Sequence, residues 1–337
     1  MGASNIDNQT DDLQTPHADS RVRVVCIGET MLMFAPPPHE LIEYSDEFRA
    51  FLGGAESNVA IGLERLGMHA GWIGKLPTNA LGRRIVNEMR SFGVDTRAVV
   101  WSPNGRVGTF FVEWGAAPRP VKTIYDRADS AATTLSADEL DWDYIMSAEW
   151  VSLTGITPAL SPSCREALLT VARRARQAGR SVLVDLNYRA LIWSQAEARA
   201  AYDELLPFAN LVVATESDYG VLLGKVVGRE EALQTVTARY PVDAAVMTIG
   251  AEGSLAYDGQ QFLQTSGYEV QTVNRLGAGD AFVAGLLYGY THWDLPTGLR
   301  YGSAMAALKL TIPQNIPLVD KDDVERLLRD SGLQMLR

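Results

Sequence analysis

A glycine-rich turn before a helix is the feature of this sequence that most directly suggests chemistry. Gly277-Ala278-Gly279-Asp280 stands immediately before an apolar helical pattern that continues to Tyr290. Glycines at a helix start let backbone N–H groups approach an anion, and the helix dipole favours negative charge there. Asp280 falls in the first turn, so its carboxylate would face that anion. Taken alone, the spacing favours a simpler interpretation, a tight loop that Asp280 caps.

A second glycine pair occurs far earlier in the chain. Gly53-Gly54 precedes Glu56 and Asn58, again where a helical pattern begins. Paired glycines with a polar side chain in the first turn suit close approach by a hydroxylated ligand. The alternative is a loop with a capping box to which Glu56 contributes. One early and one late turn of this kind together favour a ligand site over two separate caps.

Charge and composition exclude several other classes of function. The chain has 30 Lys and Arg against 41 Asp and Glu, a formal net charge of −11, and shows no basic stripe, so nucleic acid and anionic membrane are not expected partners. Cys26 and Cys164 are isolated, and the histidines lack metal-ligand spacing. There is no P-loop, and Phe282 occupies the place of the third glycine of a dinucleotide fingerprint.

The ends and apolar runs of the chain indicate a cytoplasmic protein. No apolar run approaches the roughly 18 residues of a membrane-spanning helix. Residues 1–20 are polar and lack the basic-then-apolar order of a secretion signal, so we expect a disordered tail there.

From residue 21 onward, short apolar runs alternate with amphipathic segments that end at glycine. This alternation predicts an α/β fold with a mostly parallel sheet covered on both faces by helices. The predicted strands are Val22–Ile27, a short strand ending at Ile73, Ser181–Asp185, Leu211–Ala214 and Ala245–Ile249. The predicted helices are Glu56–Leu66, Asn79–Phe92, Ser161–Ala178, Gly277–Tyr290, Pro296–Leu310 and Lys321–Arg329.

Two segments break this alternation and predict a small additional sheet. Leu41–Leu52 and Arg106–Arg127 are strand-like with no helix between them, and Val107–Trp114 and Val121–Tyr125 would pair as a hairpin across residues 115–120. We expect a lid with strands from about 34–52 and 104–128, lying beside or over the main sheet.

The two glycine clusters, the first with Asn58 and the second continuing as Ala281-Phe282, resemble the two signatures of the ribokinase/PfkB family of sugar kinases. The resemblance covers about residues 21–328. Within the family, residues 123–131, 152–162 and 184–193 are similar to 2-keto-3-deoxygluconate kinases. It implies one kinase domain over 21–337, a ribokinase-like three-layer sandwich with a small β-sheet lid.

The resemblance implies a role for each matched residue. Backbone N–H groups of Gly277, Ala278 and Gly279 would hold the phosphoryl group, and Asp280 would accept the proton of the sugar hydroxyl. A carboxylate at a helix start is expected to stay ionised. The implied substrate pocket consists of Gly54, Asn58, Phe110, Tyr125, Arg127 and Arg189, with Phe110 where relatives carry tyrosine. The two arginines could bind a carboxylate bidentately, or each could form a surface ion pair.

The nucleotide side is implied by weaker matches. Thr248, Gly250 and Gly253 match the family's turn near the nucleotide, although a plain hairpin turn explains them equally well. Asn187 is assigned to the same nucleotide site. Asp218 stands for the family's magnesium-linked glutamate and could act through water. Asn274 replaces the aspartate that most relatives carry before the late loop, which removes a carboxylate from a monovalent-cation site.

The sequence thus predicts an ATP- and Mg²⁺-dependent kinase of a sugar acid, with 2-keto-3-deoxygluconate converted to its 6-phosphate. One alternative is the same fold acting on a neutral sugar such as fructose or on a nucleoside. The others are a non-catalytic sugar- or nucleotide-binding regulator and a dinucleotide-linked oxidoreductase, which lacks its fingerprint. The sequence leaves the gluconate and galactonate epimers open. A homodimer through the exposed lid is expected, as relatives commonly form.

Overall fold

A computed structural model describes residues 21–38, 40–115 and 118–330, so the predicted tail over 1–20 lies outside the described residues. The strands are β1 Val24–Ile27, β2 Met31–Ala35, β3 Arg49–Gly53, β4 Ala70–Ile73, β5 Lys75–Pro77, β6 Val100–Ser102, β7 Thr109–Glu113, β8 Lys122–Asp126, β9 Trp150–Thr154, β10 Ser181–Asp185, β11 Leu211–Thr215, β12 Ala244–Thr248, β13 Ser254–Tyr257 and β14 Phe262–Thr265. The helices are α1 Ala55–Arg65, α2 Ala80–Ser91, α3 Trp142–Ser147, α4 Pro162–Gln177, α5 Gln195–Leu205, α6 Glu216–Leu223, α7 Arg229–Arg239, α8 Ala278–His292, α9 Leu295–Leu310 and α10 Lys321–Asp330.

The main sheet has the strand order β14-β13-β12-β11-β10-β9-β1-β4. The strands from β12 to β4 run parallel, while β13 and β14 continue the edge antiparallel. Because parallel strands end at the same edge, the loops after β1, β9, β10, β11 and β12 open on one side of the molecule. Ligands of open α/β sheets bind at this carboxyl edge.

Alternate side chains of each central strand enter different cores. Val24 and Cys26 of β1 pack with residues of α1, α8 and α9, whereas Val25 and Ile27 pack with residues of α4 and α5. Burial on both faces explains why these strands are apolar at every position rather than alternating. Helices therefore cover both faces of the sheet, and the predicted α/β three-layer architecture is confirmed.

A smaller sheet with the order β3-β2-β7-β8 forms the lid. Strands β7 and β8 pair antiparallel, with Phe110 opposite Tyr125, as the predicted hairpin requires. Part of its connection, residues 116–117, lies outside the described residues.

The predicted first half of the lid is partly wrong. Of Leu41–Leu52 only the part from Arg49 is strand, and the lid also contains β2, which starts at Met31, before the predicted limit of 34. Proline has no N–H for a strand ladder, so the run Pro36–Pro38 ends β2 and turns replace the expected strand.

Among the residues that the structure describes, no helix is both long enough and apolar enough to cross a membrane.

Candidate active site

The two glycine-rich turns meet at one hydrogen bond. Asp280 lies in the first turn of α8 and Asn58 in the first turn of α1, and the Asn58 side-chain amide donates to Asp280 Oδ2 at 2.7 Å. The two residues are 222 positions apart in the chain. Both side chains are largely buried, with Asp280 8% and Asn58 3% exposed. The fold thus brings both sequence clusters to one point.

Close backbone contacts explain the glycines at both turns. Gly277 has φ +83°, and a Cβ there would lie 1.9 Å from the carbonyl oxygen of Asn315. A Cβ on Gly54 would lie 2.5 Å from the carbonyl oxygen of Glu29. A side chain would therefore push Gly277 away from Asn315, or Gly54 away from Glu29.

The start of α8 can receive an anion. Helix α8 begins at Ala278, so the N–H groups of its first turn have no carbonyl partner inside the helix. The Ala278 N–H makes a long turn contact of 3.3 Å with the carbonyl oxygen of Arg275. Beside it, Gly279 is exposed, and no atom lies within 4 Å of the position its Cβ would take. The helix start is accessible on the side of Gly279.

Burial has the largest effect on the charge of Asp280. It raises the pKa of Asp280 to about 6, while the Asn58 hydrogen bond and the positive charges of Arg189 and Lys309 act in the opposite direction. The sequence-based expectation considered only the helix dipole, which favours ionisation. A pKa of about 6 still leaves the carboxylate mostly ionised at neutral pH, in the range suited to a general base.

A cleft between the lid and the carboxyl edge of the sheet contains Asp280. All six residues predicted for the substrate pocket line it, namely Gly54, Asn58, Phe110, Tyr125, Arg127 and Arg189. Phe110 and Tyr125 stack with ring centroids 5.4 Å apart, and the Arg127 guanidinium lies 5.9 Å from the centre of the Tyr125 ring. The lid therefore supplies one wall of the cleft.

Arg127 has a buried partner that the sequence did not suggest. Its guanidinium forms an ion pair with Glu29, whose other oxygen accepts a 2.6 Å hydrogen bond from Ser130 Oγ. The Glu29 side chain is 1% exposed and the Arg127 side chain 11%. The pair is thus internal, unlike the surface ion pair considered as the alternative. Arg189 is exposed where it lines the cleft.

Comparison with known proteins shows the family to which this sequence is similar. The sequence matches the pfkB family of carbohydrate kinases over residues 22–321. The chain belongs to this family. A 2-dehydro-3-deoxygalactonokinase from Haloferax volcanii is 39% identical over 313 residues, covering 92% of this chain and 98% of its own. A 5-dehydro-2-deoxygluconokinase from Shouchella clausii is 34% identical over 292 residues, covering 85% and 88% of the two chains.

Solved structures agree with the assignment. The crystal structure of a 2-dehydro-3-deoxygluconokinase from Thermotoga maritima superposes with a TM-score of 0.85 at 32% identity, over 92% of this chain and 98% of that one. The chain is therefore a carbohydrate kinase, a phosphotransferase, with the expected ribokinase-like fold. The resemblance drawn from the two glycine clusters is confirmed.

Glu56 of this pfkB kinase does not cap α1, so the capping-box interpretation is wrong. Gly54 is the N-cap residue and makes no side-chain cap bond. Glu56 is 1% exposed, and its Oε1 accepts hydrogen bonds from Thr154 Oγ1 at 2.7 Å and Thr157 Oγ1 at 2.9 Å. Burial raises its pKa to about 7. Through Thr154 and Thr157 the carboxylate ties α1 to the end of β9 and the turn that follows it.

Further polar residues lie along the same sheet edge. Burial, followed by the negative charges of Asp280 and Asp218, raises the pKa of Asp185 to about 8. Asn187 has φ +40° and donates to Asp185 Oδ2 at 3.0 Å. Asp218 lies in the first turn of α6, directly after β11, and burial raises its pKa. In the part of the chain that the structure describes, no group of three or more His, Cys, Asp or Glu is placed to hold a metal ion.

Three of the four residues predicted for nucleotide contact form a turn between neighbouring strands. Thr248 ends β12 opposite Ser254 of β13, and Gly250 and Gly253 both have positive φ in the short turn between them. These residues and Asn187 are not among the described residues that line the cleft of Asp280. The hairpin interpretation describes their geometry, and nucleotide contact remains a prediction.

Sequence reasoning missed several polar residues of the site. Glu29 follows β1 at the carboxyl edge of the sheet, a position that could have suggested a ligand contact. Asn315 lines the cleft and donates to the carbonyl oxygen of Leu52 at 2.7 Å, while its Oδ1 is buried without a partner. Lys309 lies within a helical apolar pattern, which carries no signal for a buried charge. Contacts between distant parts of the chain determine the position of each of these three residues.

Proposed function

We propose that this kinase transfers the terminal phosphoryl group of ATP to the terminal hydroxyl of a 2-keto-3-deoxy sugar acid, 2-keto-3-deoxygluconate or its galactonate epimer. The observation that carries the proposal is that Asp280 shares one cleft with the two guanidinium groups of Arg127 and Arg189. The hydroxyl and the carboxylate of such a substrate require these two kinds of group. By name, the similar proteins act on keto-deoxy sugar acids, and both epimers occur among them.

Recognition of the acid depends on local positive charge, because the whole chain carries a net charge of −11. Glu29 fixes Arg127 through its Nε and one terminal nitrogen, which leaves the other terminal nitrogen for a ligand. Arg189 adds a cation that has a favourable electrostatic interaction with Asp185, Asp218 and Asp280. A guanidinium held in a fixed orientation binds a carboxylate with little loss of side-chain entropy.

In the proposed reaction Asp280 accepts the proton of the attacking hydroxyl as the hydroxyl oxygen bonds to the γ-phosphorus, and the bond from this phosphorus to the bridging oxygen breaks so that ADP leaves. Asn58 holds the carboxylate in place through its 2.7 Å hydrogen bond. The N–H groups at Gly277, Ala278 and Gly279 stabilise the negative charge of the phosphoryl oxygens, aided by the dipole of α8. Positioning and charge stabilisation of this kind are the main requirements of phosphoryl transfer.

ATP is proposed to bind along the carboxyl edge, near Asn187, Thr248, Gly250 and Gly253. Mg²⁺ keeps several waters and takes one or two carboxylates together with substrate phosphates, so Asp218 fits it through water, and the neighbouring Asp185 would join it on losing its proton as the ion binds. When bound, the ion would neutralise phosphate charge.

An assay of ADP formation over a substrate panel tests the proposal. The panel contains both 2-keto-3-deoxy epimers, 5-dehydro-2-deoxygluconate, fructose, ribose and a nucleoside. We expect turnover with the 2-keto-3-deoxy acids and little with neutral sugars. A preference for fructose or a nucleoside would show that the substrate is neutral and not a sugar acid. The absence of ADP formation with every member would favour a non-catalytic binding role.

We also propose a homodimer formed through the lid. Ile124 of β8 is 56% exposed, and nearby lid residues Val121 and Phe48 are 49% and 37% exposed. An Ile124→Glu substitution should lower the apparent mass in equilibrium sedimentation. A monomer mass for the unsubstituted protein at all concentrations would contradict the dimer.

A further inference from the structure

Lys309 is a buried ammonium held by main-chain carbonyls. It lies near the end of α9 and is 0% exposed. Its Nζ donates to the carbonyl oxygen of Asn274 at 3.0 Å and to that of Ile312 at 3.5 Å. Within the described residues, no carboxylate lies at ion-pair distance from this nitrogen. The charge is therefore surrounded by dipoles rather than neutralised by a counterion.

Such an arrangement requires a compensating interaction, since an unpaired charge is costly to bury. Burial lowers the pKa of Lys309 to about 8, which still leaves it charged at neutral pH, and the negative charge of Asp280 acts against this lowering. Lys309 in turn lowers the pKa of Asp280. Lys75 provides a contrast, because its ammonium pairs with Glu139 at 2.6 Å.

One of the carbonyl groups that hold Lys309, that of Asn274, lies at the start of residues 274–279, the proposed phosphate loop. Asn274 begins the segment that ends in Gly277, and its side chain accepts from the Leu276 N–H at 2.9 Å and donates to the Pro313 carbonyl oxygen at 2.7 Å. The ammonium thus connects the start of this loop to the end of α9. It places a positive charge against the main chain three residues before Gly277.

We propose that Lys309 is a positioning residue whose ammonium serves as a built-in monovalent cation for phosphoryl transfer. It stabilises the loop and the anionic charge bound there, and it favours the ionised form of Asp280. The kinase therefore needs no added potassium or ammonium ion. This inference rests on the proposed function.

Two substitutions of Lys309 separate the effect of its charge from the effect of its packing. Carbonyl oxygens that accept from an ammonium can also coordinate K⁺, a monovalent cation. Lys309→Ala leaves a polar space that water can enter, and water satisfies the carbonyls without restoring the charge. Lys309→Met removes the charge and fills the space. If a small cation restores activity in Lys309→Ala but not in Lys309→Met, the lost activity is due to the missing positive charge.

The experiment measures kcat and its pH profile with ATP and the sugar acid in choline chloride and in potassium chloride at equal ionic strength. We expect the unsubstituted enzyme to be equally active in both salts. Lys309→Ala should lose activity about 10- to 100-fold in choline chloride and regain most of it with K⁺ or NH₄⁺. In choline chloride the acid limb of its pH profile, where kcat falls as the pH drops, should lie about one pH unit higher than in the unsubstituted enzyme. With K⁺ it should return to the original pH. Lys309→Met should lose activity without regaining it.

The matched control is Lys75→Met, which removes another buried ammonium, one that pairs with Glu139 and is not among the described residues lining the cleft of Asp280. Its kcat should show no dependence on the cation. A potassium requirement in the unsubstituted enzyme, or a Lys309→Ala variant that no small cation restores and whose acid limb does not move, would overturn the inference. Failure of the proposed function looks different, because the unsubstituted enzyme would then phosphorylate no sugar acid in either salt.

Discussion

Asp280 experiences opposing effects of burial and hydrogen bonding. Burial raises its pKa towards 6, which makes the carboxylate a stronger base than an exposed aspartate. The amide of Asn58 and the charges of Arg189 and Lys309 limit this rise, so the group stays ionised at neutral pH. A base with a pKa close to the working pH combines basicity with the correct protonation state.

The pH profile of kcat/KM tests this balance. Asp280 must be deprotonated to act, so kcat/KM should fall as the pH drops through about 6. Asn58→Ala removes the hydrogen bond that lowers the pKa of Asp280, and its acid limb should lie at a higher pH. The pH titration of the nucleotide is the same for both enzymes. An acid limb at the same pH in both would assign it to the nucleotide or to another group.

Arg127 should act on substrate binding more than on the chemical step. Arg127→Ala should raise KM for the sugar acid by about 10- to 100-fold, the usual effect of losing a charged hydrogen bond, with little change in kcat. A slowly used neutral sugar should be barely affected. The control is Arg106→Ala, since Arg106 pairs with Asp126 in an exposed part of the lid. Equal losses on acid and neutral substrates would contradict a role in binding the carboxylate.

At the scale of elements, the site lies where the starts of two helices meet. Helices α1 and α8 both belong to the core on one face of the sheet. Packing of these helices brings Asn58 and Asp280 together. The glycine before each helix packs closely on a third segment, Gly54 on the Glu29 carbonyl and Gly277 on the Asn315 carbonyl. The lid then closes the cleft from the other side with Tyr125 and Arg127.

A comparison of Gly277 with Gly279 tests whether the close contact at Gly277 requires a glycine. Gly277→Ala should lower the free energy of unfolding by about 1–3 kcal/mol or more, since the residue needs a positive φ and its Cβ would meet the Asn315 carbonyl. Gly279→Ala should leave stability unchanged or slightly higher, because its Cβ would meet nothing within 4 Å and alanine favours helix. Denaturant unfolding measures both. Equal stability of the two variants would contradict the required close approach.

Periodicity and glycine stops were enough to predict most elements of the main sheet. Ser181–Asp185 matches β10, and Ser161–Ala178 differs from α4 only by its capping residues. The lid was predicted less well, because β2 follows β1 after only three residues and nothing in the sequence shows that these two strands belong to different sheets. The ion pair of Glu29 with Arg127 and the burial of Lys309 could not be predicted, since sequence spacing contains no information on contacts between distant segments.

At the scale of the whole molecule, buried acids make stability depend on pH. The pKa values of Glu56, Asp185 and Asp280 are raised in the folded state to about 7, 8 and 6. Between their ordinary values and these, the folded protein binds more protons than the unfolded chain. Stability is therefore greatest near the low end of this interval and is lost as pH rises through it.

We expect the free energy of unfolding of the ligand-free protein to decrease from about pH 5 to about pH 8. Glu56→Gln removes one of the titrating groups, and its amide oxygen can still accept from Thr154 and Thr157, so the decrease should be smaller. Urea unfolding at a series of pH values measures both. A stability that increases over this interval would show that these carboxyl groups are ionised in the folded state at low pH.

The most direct test of the proposed reaction is the kcat of Asp280→Asn with 2-keto-3-deoxygluconate and ATP, measured beside the dissociation constant of the sugar acid. Asparagine keeps the size of the side chain and an oxygen for Asn58, but it cannot accept the hydroxyl proton. We expect kcat to fall by about 10²–10⁴ while the sugar acid binds with nearly unchanged affinity. A kcat close to that of the unsubstituted enzyme would contradict the role of Asp280 as the base.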